Sequence, residues 1–241
     1  MKRPFVIGGS VLGIVLVAGA AAAYAYFFSG LRSTPKPLAL PSASPKASST
    51  ASTSTDSATL AGTWKVAQGS QAGYRVSEQF VGQTSTHDAV ARTSDVSGGL
   101  TVQEAGSGLQ ATAVKITATL ASLHSVDSVA GFNVSNRDRL VSQSLDVSQY
   151  PDAVFQAQSV ELPAGLATGT QTVTIPGQLT IHGVTRPATV TAQLQVSGSQ
   201  AQVAGSTTFA MTDFGVSPPQ VPFTSVQPNV TLEFQLSLVK S

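Results

Sequence analysis

The sequence predicts an all-β domain of antiparallel strands over residues 62–241, and three observations predict it. Apolar and polar residues alternate with a period of two along most of that region, glycine and proline pairs punctuate the runs, and only 10% of residues are charged. Alternation gives each strand one apolar face, while Gly and Pro clusters supply the turns that antiparallel neighbours need.

The last strand is the cleanest: Val230, Leu232, Phe234, Leu236 and Leu238 alternate with Thr231, Glu233, Gln235 and Ser237. Val173, Ile175, Leu179 and Ile181 keep one parity, as do Val190, Ala192, Leu194 and Val196, then Val203, Phe209 and Met211. Earlier runs are Val114, Ile116, Ala118 and Leu120, and Tyr74, Val76 and Phe80. Gly98-Gly99, Gly106 with Gly108, Ser197-Gly198-Ser199 and Pro218-Pro219 separate them. About eight or nine such strands form either a two-sheet sandwich or a sheet closed on itself, and pattern alone does not choose.

One segment, Ser135 to Leu145, breaks the period. Ser135-Asn136-Arg137-Asp138 reads as a capping box with Asp in place of Glu, which predicts one short helix that Tyr150-Pro151 ends before a strand at Phe155.

The first 61 residues have a different composition. From Phe5 to Phe28 run 24 uncharged, mainly apolar residues, about 36 Å as a helix and enough for a bilayer. Lys2 and Arg3 precede them, so the positive-inside rule places the N-terminus in the cytoplasm and the rest outside. A cleaved signal peptide is the rival reading, with Ala-x-Ala sites between Ala18 and Ala23. The length of the run and the distal Tyr24, Tyr26, Phe27 and Phe28 favour a retained single-pass anchor (residues 1–28), with the C-terminal domain on the extracytoplasmic side of the cell membrane. Residues 29–61, rich in Ser, Thr, Ala and Pro, read as a disordered linker with a root-mean-square reach of about 30 Å. Its Ser48–Thr55 run offers acceptors for O-linked sugar, with a bare linker the simpler reading.

Charge excludes further classes. Lys2, Arg3, Arg32, Lys36 and Lys46 against Asp56 give the first 61 residues a net +4, leaving eight basic and eleven acidic residues, −3, for the domain. A mildly acidic domain argues against nucleic-acid binding, which needs a clustered basic face. Cysteine is absent, so disulfides, thiolate nucleophiles and Cys-ligated zinc are excluded.

Four blocks stand out in order: Gly62-Thr63-Trp64-Lys65-Val66 with Gly73-Tyr74-Arg75-Val76; Asn136-Arg137-Asp138 followed by Tyr150-Pro151 and Phe155; Gly177 through Pro187 with its Thr180-Ile181-His182-Gly183 centre; and Thr212-Asp213-Phe214-Gly215-Val216. Together they resemble the YceI-like family of exported lipid-binding proteins. The resemblance implies a lipocalin-like antiparallel eight-stranded β-barrel with one short helix, holding an isoprenoid or similar amphiphile in an apolar cavity and needing no cofactor. An N-terminal anchor departs from the freely soluble members and argues against a diffusing carrier.

Under that reading the apolar stripe lines the cavity, with Tyr74, Val76, Phe80, Phe155, Leu179, Ile181, Leu194, Phe209 and Phe234 as candidate contacts. Arg75, Arg137 and Asp138 are candidates for the ligand head group. Arg137 and Asp138 also suit a helix cap and structural ion pair. His87, His124 and His182 lack metal-ligand spacing, and His182 belongs to a turn. Asp213-Phe214-Gly215 is a turn, since no nucleotide loop accompanies it, and no Gly-x-Ser-x-Gly elbow appears, so no enzyme is expected. The alternative is a cell-surface interaction module, its barrel filled by the same residues and its loops (Gly215 to Thr224) binding protein or glycan. An irregular edge near Pro176 could support a homodimer.

Overall fold

A strand with one apolar face has to cover it, and a set of such strands can do so by closing into a ring. The computed structural model describes residues 32–41, 60–81, 85–129, 133–222 and 224–241. The long strands are β2 (Gly62–Val66), β3 (Gln71–Phe80), β4 (Thr86–Thr93), β5 (Val96–Ala105), β6 (Gly108–Thr119), β9 (Asp152–Leu162), β10 (Gln171–Ile181), β11 (Val184–Ser197), β12 (Gln200–Ala210) and β14 (Thr224–Lys240). Short strands β1 (Arg32–Ser33), β7 (His124–Ser125), β8 (Ser128–Val129) and β13 (Gln220–Val221) complete the set.

Strands β12, β11, β10, β9, β6, β5, β2 and β14 neighbour one another in that order, and a β12–β14 ladder closes the eight-strand antiparallel ring. The barrel expectation therefore holds over the sandwich. On one edge β14 carries two partners, β2 at Leu238–Lys240 and β3 from Thr224 to Gln235. The β3–β4 hairpin extends that wall beyond the ring, and β4 ends the sheet against β7.

Packing follows the alternation. Trp64, Leu109, Leu194, Ala201 and Leu238 form a buried cluster at one end, where Trp64 Nε1 donates to the Leu60 carbonyl at 3.0 Å. Leu179, Ile181 and Phe214 form another toward the opposite end. The hairpin between β10 and β11 turns at His182 and Gly183, φ +51° and +72°, the paired left-handed geometry of a type I′ turn. His182 Nδ1 lies 3.2 Å from the Phe214 carbonyl. At Pro176, which has no N–H to give a ladder, β10 has left β9: the two pair only from Gln178↔Gln156 to Thr180↔Val154.

Two expectations are corrected. The helix exists as α1 (Ser135–Ser144), but Ser135 does not cap it; Asn133 Oδ1 accepts from the Ser135 N–H at 3.1 Å and its hydroxyl at 2.6 Å. Asn133 reaches forward two residues as an Asx turn, which suits Asn better than a Ser already inside the helix. Residues 32–41, expected as part of a disordered linker, lie along the barrel wall and begin with β1 paired to β8. The apolar run at 5–28 lies outside the described residues, among which no helix is long and apolar enough to cross a membrane.

Candidate functional site

The inward faces enclose two adjoining cavities of about 160 Å³ each. Both are bordered by Ala72, Ala118, Ala153 and Leu232, and Ala118 and Ala153 are direct partners across β6 and β9, so small side chains make the waist between them. Tyr74, Val76, Ile181 and Phe209 line the first cavity; Phe155, Leu179, Leu194 and Phe234 line the second. Thr207 is the one polar residue around the second. The first is bordered also by Glu78, Thr93, Arg137 and Ser144.

Three of the residues singled out from sequence lie elsewhere. Phe80 is 4% exposed but borders neither cavity, its ring centred 6.3 Å from that of His87. Arg75, one position out of phase with the inward Tyr74 and Val76, points to the outer face, where it meets Asp88 at 3.3 Å and Glu233 at 3.7 Å. Asp138 accepts from the Ser125 N–H at 2.9 Å and the Ser125 hydroxyl at 2.6 Å, tying α1 to β7. Only Arg137 of the three head-group candidates reaches the cavity.

Arg137 belongs to a buried charged cluster at the polar end of the first cavity. Its Nη1 donates to Asp127 Oδ1 at 2.7 Å and its Nη2 to Glu78 Oε2 at 3.1 Å. Asp127 also accepts from the Val90 N–H at 3.0 Å, and its Oδ2 lies 2.8 Å from His87 Nε2. Burial pushes the Glu78 carboxyl above its ordinary range, an effect that Arg137 opposes. Burial opposes ionisation of Asp127 too, yet hydrogen bonds from His87, Arg137 and Val90 together hold its carboxyl below the usual value. The Tyr74 phenol is pushed up by burial, so it faces the cavity as a neutral donor and acceptor. Sequence pattern singled out neither Asp127 nor His87. Glu78 did carry a signal: an acid with the parity of Tyr74, Val76 and Phe80.

On the outer face a second polar group holds residues 32–41. Arg75 Nη2 donates to the Pro35 carbonyl at 2.7 Å, Arg92 Nη2 to the Lys36 carbonyl at 2.6 Å, and the Leu38 N–H to Glu233 Oε2 at 3.3 Å. Arg92 also pairs with Glu233 at 3.0 Å, and Glu233 is 2% exposed. Neither group is a metal centre: among the described residues no three His, Asp or Glu side chains are placed to hold an ion.

Comparison with known proteins follows the same boundaries. The sequence profile of the YceI-like domain matches residues 50–238. A UPF0312 protein of Pseudomonas putida strain F1 is 32% identical over 109 residues, 42% of this chain and 54% of that protein. One of Shewanella baltica strain OS185 is 34% identical over 135 residues, 53% of this chain and 63% of its own. The chain thus spans about half the length of the curated relatives it matches. Among solved structures, a polyisoprenoid binding domain from Saccharophagus degradans, implicated in plant cell wall breakdown, superposes with a TM-score of 0.53 at 16% identity, over 75% of this chain and 99% of that domain. At that identity the likeness speaks to the fold.

Proposed function

The chain belongs to the YceI-like family, and from that premise we propose that its barrel binds a long-chain amphiphile, an isoprenoid or close analogue, without covalent chemistry, at the outer face of a membrane to which residues 5–28 anchor it. One observation carries the reading: two adjoining cavities, both walled almost wholly by apolar surface, with the buried Arg137–Glu78 pair bordering the first. The charged pair at the border of the first cavity is the place for a head group, which puts the tail in the second.

Tail burial drives binding at roughly 25 cal/mol per Å² of apolar surface and distinguishes poorly among hydrocarbon tails. A dry apolar cavity of about 150 Å³ takes a benzene-sized molecule, so two such spaces joined at a waist suit a chain of about a dozen or more carbons. The head-group end supplies selectivity. Arg137 is already paired with Glu78 and Asp127, so a polar but uncharged head group that accepts one bond from the guanidinium costs less than an anion, which would have to displace a carboxylate. The polyisoprenoid binding domain with the same fold supports the tail chemistry.

Native mass spectrometry of the full chain, released from detergent micelles, tests this. A discrete apolar adduct, identified after denaturation, is the expected result. A clean apo mass that persists when isoprenoids and fatty acids are offered would overturn the lipid-binding reading.

A further inference from the structure

The strap of residues 32–41 starts at one particular end of the barrel. Ser33 pairs with Ser128, and Thr34 Oγ1 lies 3.4 Å from His87 Nδ1. His87 in turn meets Asp127, which holds Arg137 at the polar end of the first cavity. From there the strap crosses the outer face over Arg75 and Arg92 to Glu233 on β14. Upstream, Ser29, Gly30 and Leu31 alone separate Arg32 from Phe28, the last residue of the apolar run. Three residues reach at most about 11 Å.

We infer that the strap fixes the barrel with its first-cavity end against the bilayer surface, so that a lipid passes between the membrane and Arg137 without crossing water. This rests on the anchored, lipid-binding reading above. A free linker of 33 residues would let the domain turn any face to the membrane, whereas a strap seated three residues beyond the apolar run leaves one end of the barrel within reach.

A second observation selects the same end. Val81, at the tip of the β3–β4 hairpin, is 75% exposed, and the hairpin register Glu78↔His87 sets that tip beside the charged cluster. The other large apolar side chain exposed among the described residues, Val239 at 39%, pairs with Lys65 at the far end of β14. Val226 pairs with Glu78, and the strand from Val226 to Val239 rises roughly 40 Å. The apolar tip and the chain's exit toward the anchor therefore share one end, and the charged cluster bordering the first cavity lies at that end.

The absence of cysteine makes the test direct. Untagged full-length chains carrying Val81→Cys or Val239→Cys, each with a nitroxide label, are reconstituted in phosphatidylcholine–phosphatidylglycerol vesicles containing a nickel-chelating lipid. Flotation first reads whether the chain is membrane-bound. In floated protein, lipid-borne nickel is expected to shorten the relaxation of the label at 81 and to leave the label at 239 at its nickel-free value. Adding Arg75→Ala and Arg92→Ala, which frees the strap, is expected to shrink that difference; the comparison in the native strap stands even if this variant does not fold. Floated protein with equal relaxation at the two sites, or more at 239, overturns the inference and leaves the anchor intact. A chain that does not float removes the anchor and this inference with it, while ligand binding is still read by the mass spectrum.

Discussion

Arg92 and Glu233 meet 3.0 Å apart on the outer face of the barrel, 141 residues distant in sequence, with Gly73 directly opposite both of them in the sheet. A Cβ at 73 would collide with the backbone of β4 at the Ala91 carbonyl. Glycine is what lets β3 and β4 approach closely at the position that carries the ion pair. Glu233→Ala leaves Arg75 and Arg92 without their shared buried partner and should cost about 3 kcal/mol. Urea unfolding reads the loss, and hydrogen exchange over residues 32–41 should rise with it. An unchanged unfolding midpoint would mean that the strap and its ion pair contribute nothing to stability.

Asp127 ties β4 to α1: it accepts from β4 through the Val90 N–H and from α1 through Arg137, and meets His87, also on β4. It is fully buried. Asp127→Asn should therefore destabilise the domain by about 3 kcal/mol near neutral pH, read by urea unfolding, because it takes from the buried Arg137 one of its two carboxylate partners and leaves only Glu78.

The two acids of the cluster should respond to pH with opposite sign. Asp127 is held below its usual range, so the folded state binds its proton less tightly than the unfolded chain does. Its stabilisation is full above the ordinary aspartate value of about 3.9 and is lost as pH falls through the lower folded value. Glu78 is pushed above its usual range, so the folded state binds its proton more tightly. Its contribution grows as pH falls from above that raised value toward about 4.3. The stability of the wild type relative to Glu78→Gln should rise on acidification, and that relative to Asp127→Asn should fall. Urea melts from about pH 7 down to about pH 3 give both differences; a shared slope would be inconsistent with these opposite shifts.

Much of the barrel was legible because burial there follows parity. Val230, Leu236 and Leu238 are buried as their alternation requires, and the cavity faces of β10 and β11 follow the same rule. What was not legible depends on partners that leave no period. Pro35 and Lys36 are held by their backbone carbonyls, which every residue carries, and the donors that choose them sit on β3 and β4. Glu233 read correctly as outward, but it is buried there beneath contacts from Arg75, Arg92 and Leu38 of the strap. Asp127 and His87 are 40 residues apart and meet because β7 pairs with β4 and the chain just beyond it stays on β4, the Val126 N–H donating to the Val90 carbonyl. Arg75 and Arg137 looked alike in sequence; the parity of β3 turns one out, and the position of α1 turns the other in.

The waist between the cavities gives a prediction about ligand length. Ala118 and Ala153 face each other across β6 and β9, with Ala72 and Leu232 completing the constriction. Ala153→Leu adds bulk to space that is already empty, so it should cost the fold little, in contrast to the same change in a filled core, where overpacking costs about 1 to 3 kcal/mol. The added side chain blocks passage from the first cavity to the second. A tail short enough to stay in the first cavity should bind as before, whereas a long chain should lose at least about tenfold in affinity, or about 1.4 kcal/mol. A competition series of prenols of increasing length against one fluorescent amphiphile measures this, with a thermal melt of the variant alongside. A uniform loss at all lengths would mean that ligand does not pass the waist, and an unchanged series would place the tail outside the barrel.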